Sequence, residues 1–256
     1  RRQRQMCIRD SDWISRHLPA DADAQLTDIT AALGVVSVMG PNARQLLSRV
    51  TSTDVSHEVF PFGTAQELVI DDCRVRALRL SYVGELGWEI TCKTDDLREV
   101  YRSLIDAGAM PAGLFAQTSM RIEKGFCALG HELDSDIGPI EVGLDMFTRR
   151  TGGFVGYAAM EKKREEGAEN KLISLTLGDE TAVPIGGEPI YLDDQIIGQT
   201  TSCAFGFRVG KPIALGHLKE KVSDNSNVYV DIARQLYSAT VSTGPLFDAD
   251  GLRMKN

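Results

Sequence analysis

The chain has 256 residues, a length that suits one or two domains with a substantial core. With 43% hydrophobic and 25% charged residues its composition is ordinary for a globular protein, which excludes disordered and collagen-like classes. The net charge of −8 argues against a general nucleic-acid or membrane-surface binder, because phosphate-rich partners need a cationic face. A local basic pocket for a small anion stays open.

No apolar run approaches ~18 residues, so no transmembrane helix and no membrane partner are expected. The five cysteines (Cys7, Cys73, Cys92, Cys127 and Cys203) are odd in number, scattered and never in a C-x-x-C pair. They read as reduced thiols rather than disulfides or a metal site. The N-terminus is basic without an apolar segment behind it, so it is not a secretory signal. The run Met6–Ser11 resembles translated adaptor sequence. Residues 1–11 are therefore read as foreign to a natural chain that was cut at this point.

In chain order, Leu33–Met39 is a short apolar run closed by Gly40-Pro41, a strand signal. Gly40 is expected to cap, and Pro41 to begin, a helix through Val50. Asp71-Asp72 separates two strands of a hairpin. After Thr94, a helix is predicted with Thr94 as cap and Gly108 as stop, its inner stripe formed by Leu97, Tyr101, Leu104 and Ile105. A second helix is expected over 113–126, with Phe115, Ser119, Ile122 and Phe126 on one face. Strands alternating with helices indicate an α+β fold. Residues 151–170, broken by Gly152-Gly153 and Gly167, read as a charged connector. From 171 to 256 nearly everything is strand, punctuated by Gly, Pro, Asp and Asn, which suits a small antiparallel barrel.

Generic motifs are weak. The Gly206–Lys211 run lacks the spacing and the Ser/Thr of a phosphate loop and reads as a hairpin turn. His131–Asp136 offers metal-ligand residue types but reads as a loop, and His17, His57 and His217 stand alone. One segment is richer in chemistry: Arg79–Ile90, RLSYVGELGWEI. If Gly84–Gly87 forms a four-residue hairpin loop, Tyr82 faces Glu89 on one sheet face, while Trp88 and Ile90 enter the core. A phenol beside a carboxylate suits a flat heterocycle that carries an amino group and a ring N–H. From chemistry alone, a core Tyr82 and a surface Glu89 paired with an Arg is the stronger reading.

The motif Y-x-G-E-x-G-x-E at Tyr82–Glu89, followed by AQTSMRIEKGFCALGHELDSDIGPIEVGL, resembles the folate-binding aminomethyltransferase (glycine cleavage T-protein) family. Further matches are VMGPNARQLLSRVT, FPFGTAQEL, GGEPIYLDDQIIGQTTS and KPIALGHL. The likeness is greatest to the C-terminal folate domains of dimethylglycine and sarcosine dehydrogenases, and it runs from about Trp13 to about Gly251. It implies a three-lobed fold with an incomplete first lobe: a non-family stretch at 1–12, a folate-binding α+β region at 13–150, the connector, and a barrel at 171–256. It implies tetrahydrofolate as cofactor, contacted by Tyr82 and Glu89, with Arg234 loosely matching a residue that meets the glutamate tail. Arg121 and Glu123 are expected to form a bracing ion pair. Gln117 stands where T-proteins have an Arg, and Leu129 where an aromatic is common.

The implied activity is aminomethyl transfer to tetrahydrofolate, giving 5,10-methylenetetrahydrofolate, with a methylated-amine donor. The proton-transfer Asp and an FAD-bearing dehydrogenase domain are expected upstream, outside these residues, so the fragment itself is expected to be inactive. The compartment implied is the bacterial cytoplasm or the mitochondrial matrix. The alternative is a non-catalytic regulatory relative of the same fold.

Overall fold

The computed structural model describes residues 2–219 and 222–255. They form an α+β fold that gathers into two compact units. One holds the chain up to Ser81, Glu85–Pro111 and the last residues from Met254; the other holds Tyr82–Gly84 and Ala112–Arg253.

The first unit opens with an N-terminal helix, α1 (Arg2–His17), and is built on a four-stranded antiparallel sheet. Its strands are β1 (Leu33–Met39), β2 (Ala65–Ile70), β3 (Cys73–Leu78) and β4 (Gly87–Lys93), in the order β1-β4-β3-β2. Alternation decides which side is core. Val38, Trp88, Ile90, Cys92, Val75, Ala77, Leu68 and Ile70 are buried in one cluster with side chains of α2 (Ala43–Val50) and α3 (Leu97–Asp106). Fully buried side chains such as Leu47 and Leu104 contribute roughly 1.5–3 kcal/mol each.

Helix details depart from expectation at their ends. Helix α2 starts at Ala43 rather than Pro41, with Asn42 as cap. Thr94 does not cap α3: its hydroxyl donates to the Ala31 carbonyl, and a single 3-10 turn precedes the helix. Gly108 ends it with φ +102°. The buried stripe is Val100 and Leu104, with Leu97 partly buried, whereas Tyr101 is exposed because 3.6-residue periodicity turns it off the face that Val100 occupies.

The second unit is built on a closed barrel. Its strands are β5 (Lys171–Leu177), β6 (Pro189–Leu192), β7 (Gln195–Gly206), β8 (Lys211–Leu218), β9 (Asn227–Ile232) and β10 (Gln235–Ser242). They close in the order β10-β5-β8-β7-β6-β9 with every pairing antiparallel. Closure leaves no free sheet edge. Leu175, Leu177, Ile190, Val228, Val230 and Val241 belong to its core cluster. Helix α4 (Leu114–Glu123) lies against β7 and β8, and its Ile122 packs on Ile213 and Leu215. That contact explains why β8 is buried along nearly its whole length instead of alternating. Phe115, expected on the inner face of this helix, is 94% exposed. Helix α5 (Tyr157–Glu166) lies in the 151–170 stretch, and α6 (Leu252–Lys255) ends the described chain.

Candidate functional site

The hairpin register expected around Tyr82 is corrected by the strand ladder. β3 and β4 pair Leu78 with Glu89 and Ala77 with Ile90, so the connection is the whole of residues 79–86. Glu89 has Leu78 and Ser37 as cross-strand neighbours, not Tyr82. The two motif glycines serve other purposes than bracketing a tight turn. A Cβ on Gly87 would sit 2.6 Å from Met39 Cγ, so the close approach of β1 demands glycine there. Gly84 has φ +75° and lies against the stem of Lys124, where a Cβ would be 3.1 Å from its Cδ.

In the first unit, Glu89 is half-buried on the sheet face opposite the helices. Among the described residues it makes no hydrogen bond or ion pair, so both carboxylate oxygens are open to a ligand's donors. Four of the acids at buried positions elsewhere have side-chain partners: Glu123 with Arg208, Glu132 with Arg121, Glu141 with Lys163 and Glu188 with Thr200. On the core face, Trp88 and Ile90 are fully buried as expected. Arg79 is fully buried too, which the sequence did not signal. Its guanidinium meets His57 Nδ1 at 3.1 Å, the Phe60 carbonyl at 2.6 Å and the Lys255 carbonyl at 3.0 Å, and lies 5.7 Å from the Trp88 ring centroid. Burial lowers its pKa.

In the second unit, Tyr82 is half-buried. Its ring lies parallel to Phe126, with centroids 6.0 Å apart and planes 15° apart. Its hydroxyl donates to the Cys127 carbonyl at 2.8 Å. The phenol proton is thereby committed, which leaves the oxygen only acceptor capacity. Burial raises the Tyr82 pKa and pushes the Cys127 thiol up to about 12.

The expected Arg121–Glu123 pair does not form. Residues two apart on a helix point to opposite sides. Arg121 Nη1 instead meets Glu132 at 2.8 Å, with side chains 5% and 0% exposed, while Glu123 meets Arg208. Burial raises the Glu132 pKa, but the Arg121 charge and hydrogen bonds involving Ser202, Ala128 and Thr201 outweigh it, and the carboxyl lies below its ordinary range. His217, isolated in the sequence, is buried with Nε2 3.1 Å from the Glu132 carbonyl oxygen. The 131–136 segment is a loop in which Asp134 accepts two backbone N–H groups. Gly206–Lys211 is the β7–β8 turn. Among the described residues no group of three or more His, Cys, Asp or Glu side chains could hold a metal ion. Cys73, Cys92, Cys127 and Cys203 are free thiols.

Arg234 sits at the exposed tip of the β9–β10 turn, following Ala233, both with positive φ. It makes no hydrogen bond or ion pair among the described residues. Tyr82 and Arg234 belong to the second unit and Glu89 to the first.

Comparison with known proteins covers most of the chain. The GCVT N-terminal domain model matches residues 4–151, and the glycine cleavage T-protein C-terminal barrel model matches residues 170–248. Mitochondrial dimethylglycine dehydrogenase of Rattus norvegicus is 33% identical over 247 residues, which is 93% of this chain and 29% of that protein. Mitochondrial sarcosine dehydrogenase of Mus musculus is 36% identical over 90% of this chain and 27% of its own length. The chain thus spans under a third of these curated relatives. An aminomethyltransferase of Bacillus subtilis is 29% identical over 93% of the chain and 67% of its own length. The crystal structure of aminomethyltransferase T from Bartonella henselae shares the fold, with TM-score 0.65 at 18% identity over 87% of this chain and 86% of that one. With family models matching most of its length, one ending where the connector begins and the other covering the barrel, the chain belongs to the glycine cleavage T-protein family.

Proposed function

We propose that this chain is the tetrahydrofolate-holding part of a dimethylglycine or sarcosine dehydrogenase-like enzyme, where aminomethyl transfer yields 5,10-methylenetetrahydrofolate. The observation that carries the reading is Glu89: a half-buried carboxylate on an open strand face, without a protein partner among the described residues. Two free oxygens on one carboxylate match the adjacent amino and ring N–H donors of a pterin. The family resemblance also points to Tyr82, which offers an aromatic face and an acceptor oxygen, and to Arg234, an uncommitted cation suited to a glutamate tail.

When bound, tetrahydrofolate supplies the nitrogens that take up the one-carbon unit. The part played by this chain is to bind and orient; for a well-aligned two-reactant step that is worth roughly 7–11 kcal/mol. Proton transfer and the FAD-dependent oxidation of the methylated amine are assigned to other parts of a longer protein, in keeping with the 29% of the rat dehydrogenase that this chain spans. The proposed compartment is the mitochondrial matrix or the bacterial cytoplasm. Among the described residues no helix is long and apolar enough to cross a membrane.

Calorimetric titration with tetrahydrofolate tests the reading. Hydrogen bonds to a charged group are worth about 1.5–3 kcal/mol, so Glu89→Ala should weaken binding by roughly 10- to 150-fold. Unchanged affinity in the folded variant would refute the assignment.

A further inference from the structure

Tyr82 is held by Phe126–Ala128, a stretch that lies in no helix or strand. Phe126 stacks on its ring and the Cys127 carbonyl takes its proton. Such a stretch must itself be held if it is to aim a side chain.

The holder is the buried pair on either side of it. Arg121 Nη1 donates to the Phe126 carbonyl at 3.1 Å and to Glu132 Oε2 at 2.8 Å. Glu132 Oε2 also accepts the Ala128 N–H at 2.9 Å. The carbonyl before Cys127 and the amide after it are therefore both gripped. The Cys127 carbonyl and the Ala128 N–H belong to one planar trans peptide, so they point in opposite directions. Glu132 pulls on the N–H end, and the C=O end is turned toward the Tyr82 hydroxyl. A carboxylate on one end of a peptide also polarises it, which strengthens the carbonyl as acceptor at the other. The pair is fixed from behind, Arg121 Nη2 by Ser202 Oγ at 2.6 Å and Glu132 Oε1 by the Thr201 hydroxyl at 2.7 Å.

We propose that the Arg121–Glu132 pair is a positioning device for Tyr82: through the 127–128 peptide it sets the ring plane and commits the phenol proton, so that the ligand meets a fixed aromatic wall and a lone pair. The inference rests on Tyr82 being a folate contact. Neither Arg121 nor Glu132 touches the ligand in this scheme.

The test uses the full chain labelled with 3-fluorotyrosine. Of its six tyrosines, the Tyr82 fluorine line is the one lost in Tyr82→Phe. In Glu132→Leu that line should move toward the position of exposed tyrosines, and its titration should shift down toward theirs. Loss of one hydrogen bond is worth about 0.5–1.5 kcal/mol, so tetrahydrofolate affinity should fall roughly 2- to 12-fold. In the Tyr82→Phe background the same replacement should cost less than about twofold, because coupled residues are not additive. If Glu132→Leu does not fold, Ser202→Ala, which keeps the pair but releases Arg121 Nη2, should move the Tyr82 line the same way by a smaller amount. An unmoved Tyr82 line in either folded variant, or fully additive losses in the cycle, would overturn the proposal. If Tyr82→Phe and Glu89→Ala both left tetrahydrofolate affinity unchanged while the line still moved, the folate reading would fall instead, reducing the pair to a structural clamp.

Discussion

Replacing Glu123 discriminates between the partner that its helix suggests and the one that the fold provides. Its side chain is fully buried. Oε1 accepts the N–H of Arg208 at 2.7 Å and of Val209 at 3.2 Å, and Oε2 meets Arg208 Nε. Glu123→Ala strands two backbone donors and a guanidinium whose side chain is 18% exposed. A buried donor left unmet costs about 1–3 kcal/mol, and breaking a buried pair from one side about 3–5 kcal/mol. Water reaching Arg208 recovers part of this, so the expected loss is about 3 kcal/mol. Glu123→Gln keeps the oxygen that serves both N–H groups but sets an amide NH2 against Nε–H, for a loss of about 1.5–2 kcal/mol. Urea unfolding at pH 7, followed by circular dichroism, reads these as midpoint shifts at constant slope. A double-mutant cycle with Arg208→Met should show coupling above ~1 kcal/mol, and one with Arg121→Met less than ~0.5 kcal/mol. A Glu123→Ala loss below ~1 kcal/mol, or stronger coupling to Arg121 than to Arg208, would refute the reasoning.

Two further outcomes follow from the second unit. The Glu132 carboxyl is held below its ordinary value of 4.5. A lowered folded pKa gives stability that is present above the unfolded value and lost as pH falls through the folded one. Urea midpoints should therefore drop on acidification below about pH 4.5, and Glu132→Gln should flatten that part of the slope; an equally steep acid slope in the variant would count against a charged Glu132. In the barrel, a Cβ on Gly198 would lie 2.0 Å from the His217 carbonyl oxygen, where β7 and β8 have no room to part. Gly198→Ala should cost at least ~2 kcal/mol and lower the Tm by at least ~5 °C in a thermal scan, and an unchanged Tm would show that the strands can yield.

Much of the fold was legible because its causes are local. Short alternating runs between Gly, Pro and Asp announced the barrel strands, and the Asp71-Asp72 turn appears with φ values of 48° and 64°. Trp88 and Ile90 entered the core because strand alternation put them there. Helix ends were less legible: Thr94 found the Ala31 carbonyl, in the turn before β1, which competed with capping. Tyr82, Glu89 and Arg234 were marked by family resemblance, and Glu89 alone also shows a distinctive state, a half-buried acid with no partner among the described residues.

By itself the sequence carried the family, through the resemblance of its motifs, and it determined the barrel and the strand faces, because these depend on periodicity and turn chemistry over a few neighbours. Only the tertiary structure decided who holds whom. Arg121 finds its acid at Glu132, Glu123 finds its base at Arg208, and Tyr82 gives its phenol proton to the Cys127 carbonyl. Those choices are made across a helix, a loop and a barrel turn, where a charge leaving water must take the partner that the packed chain brings to it.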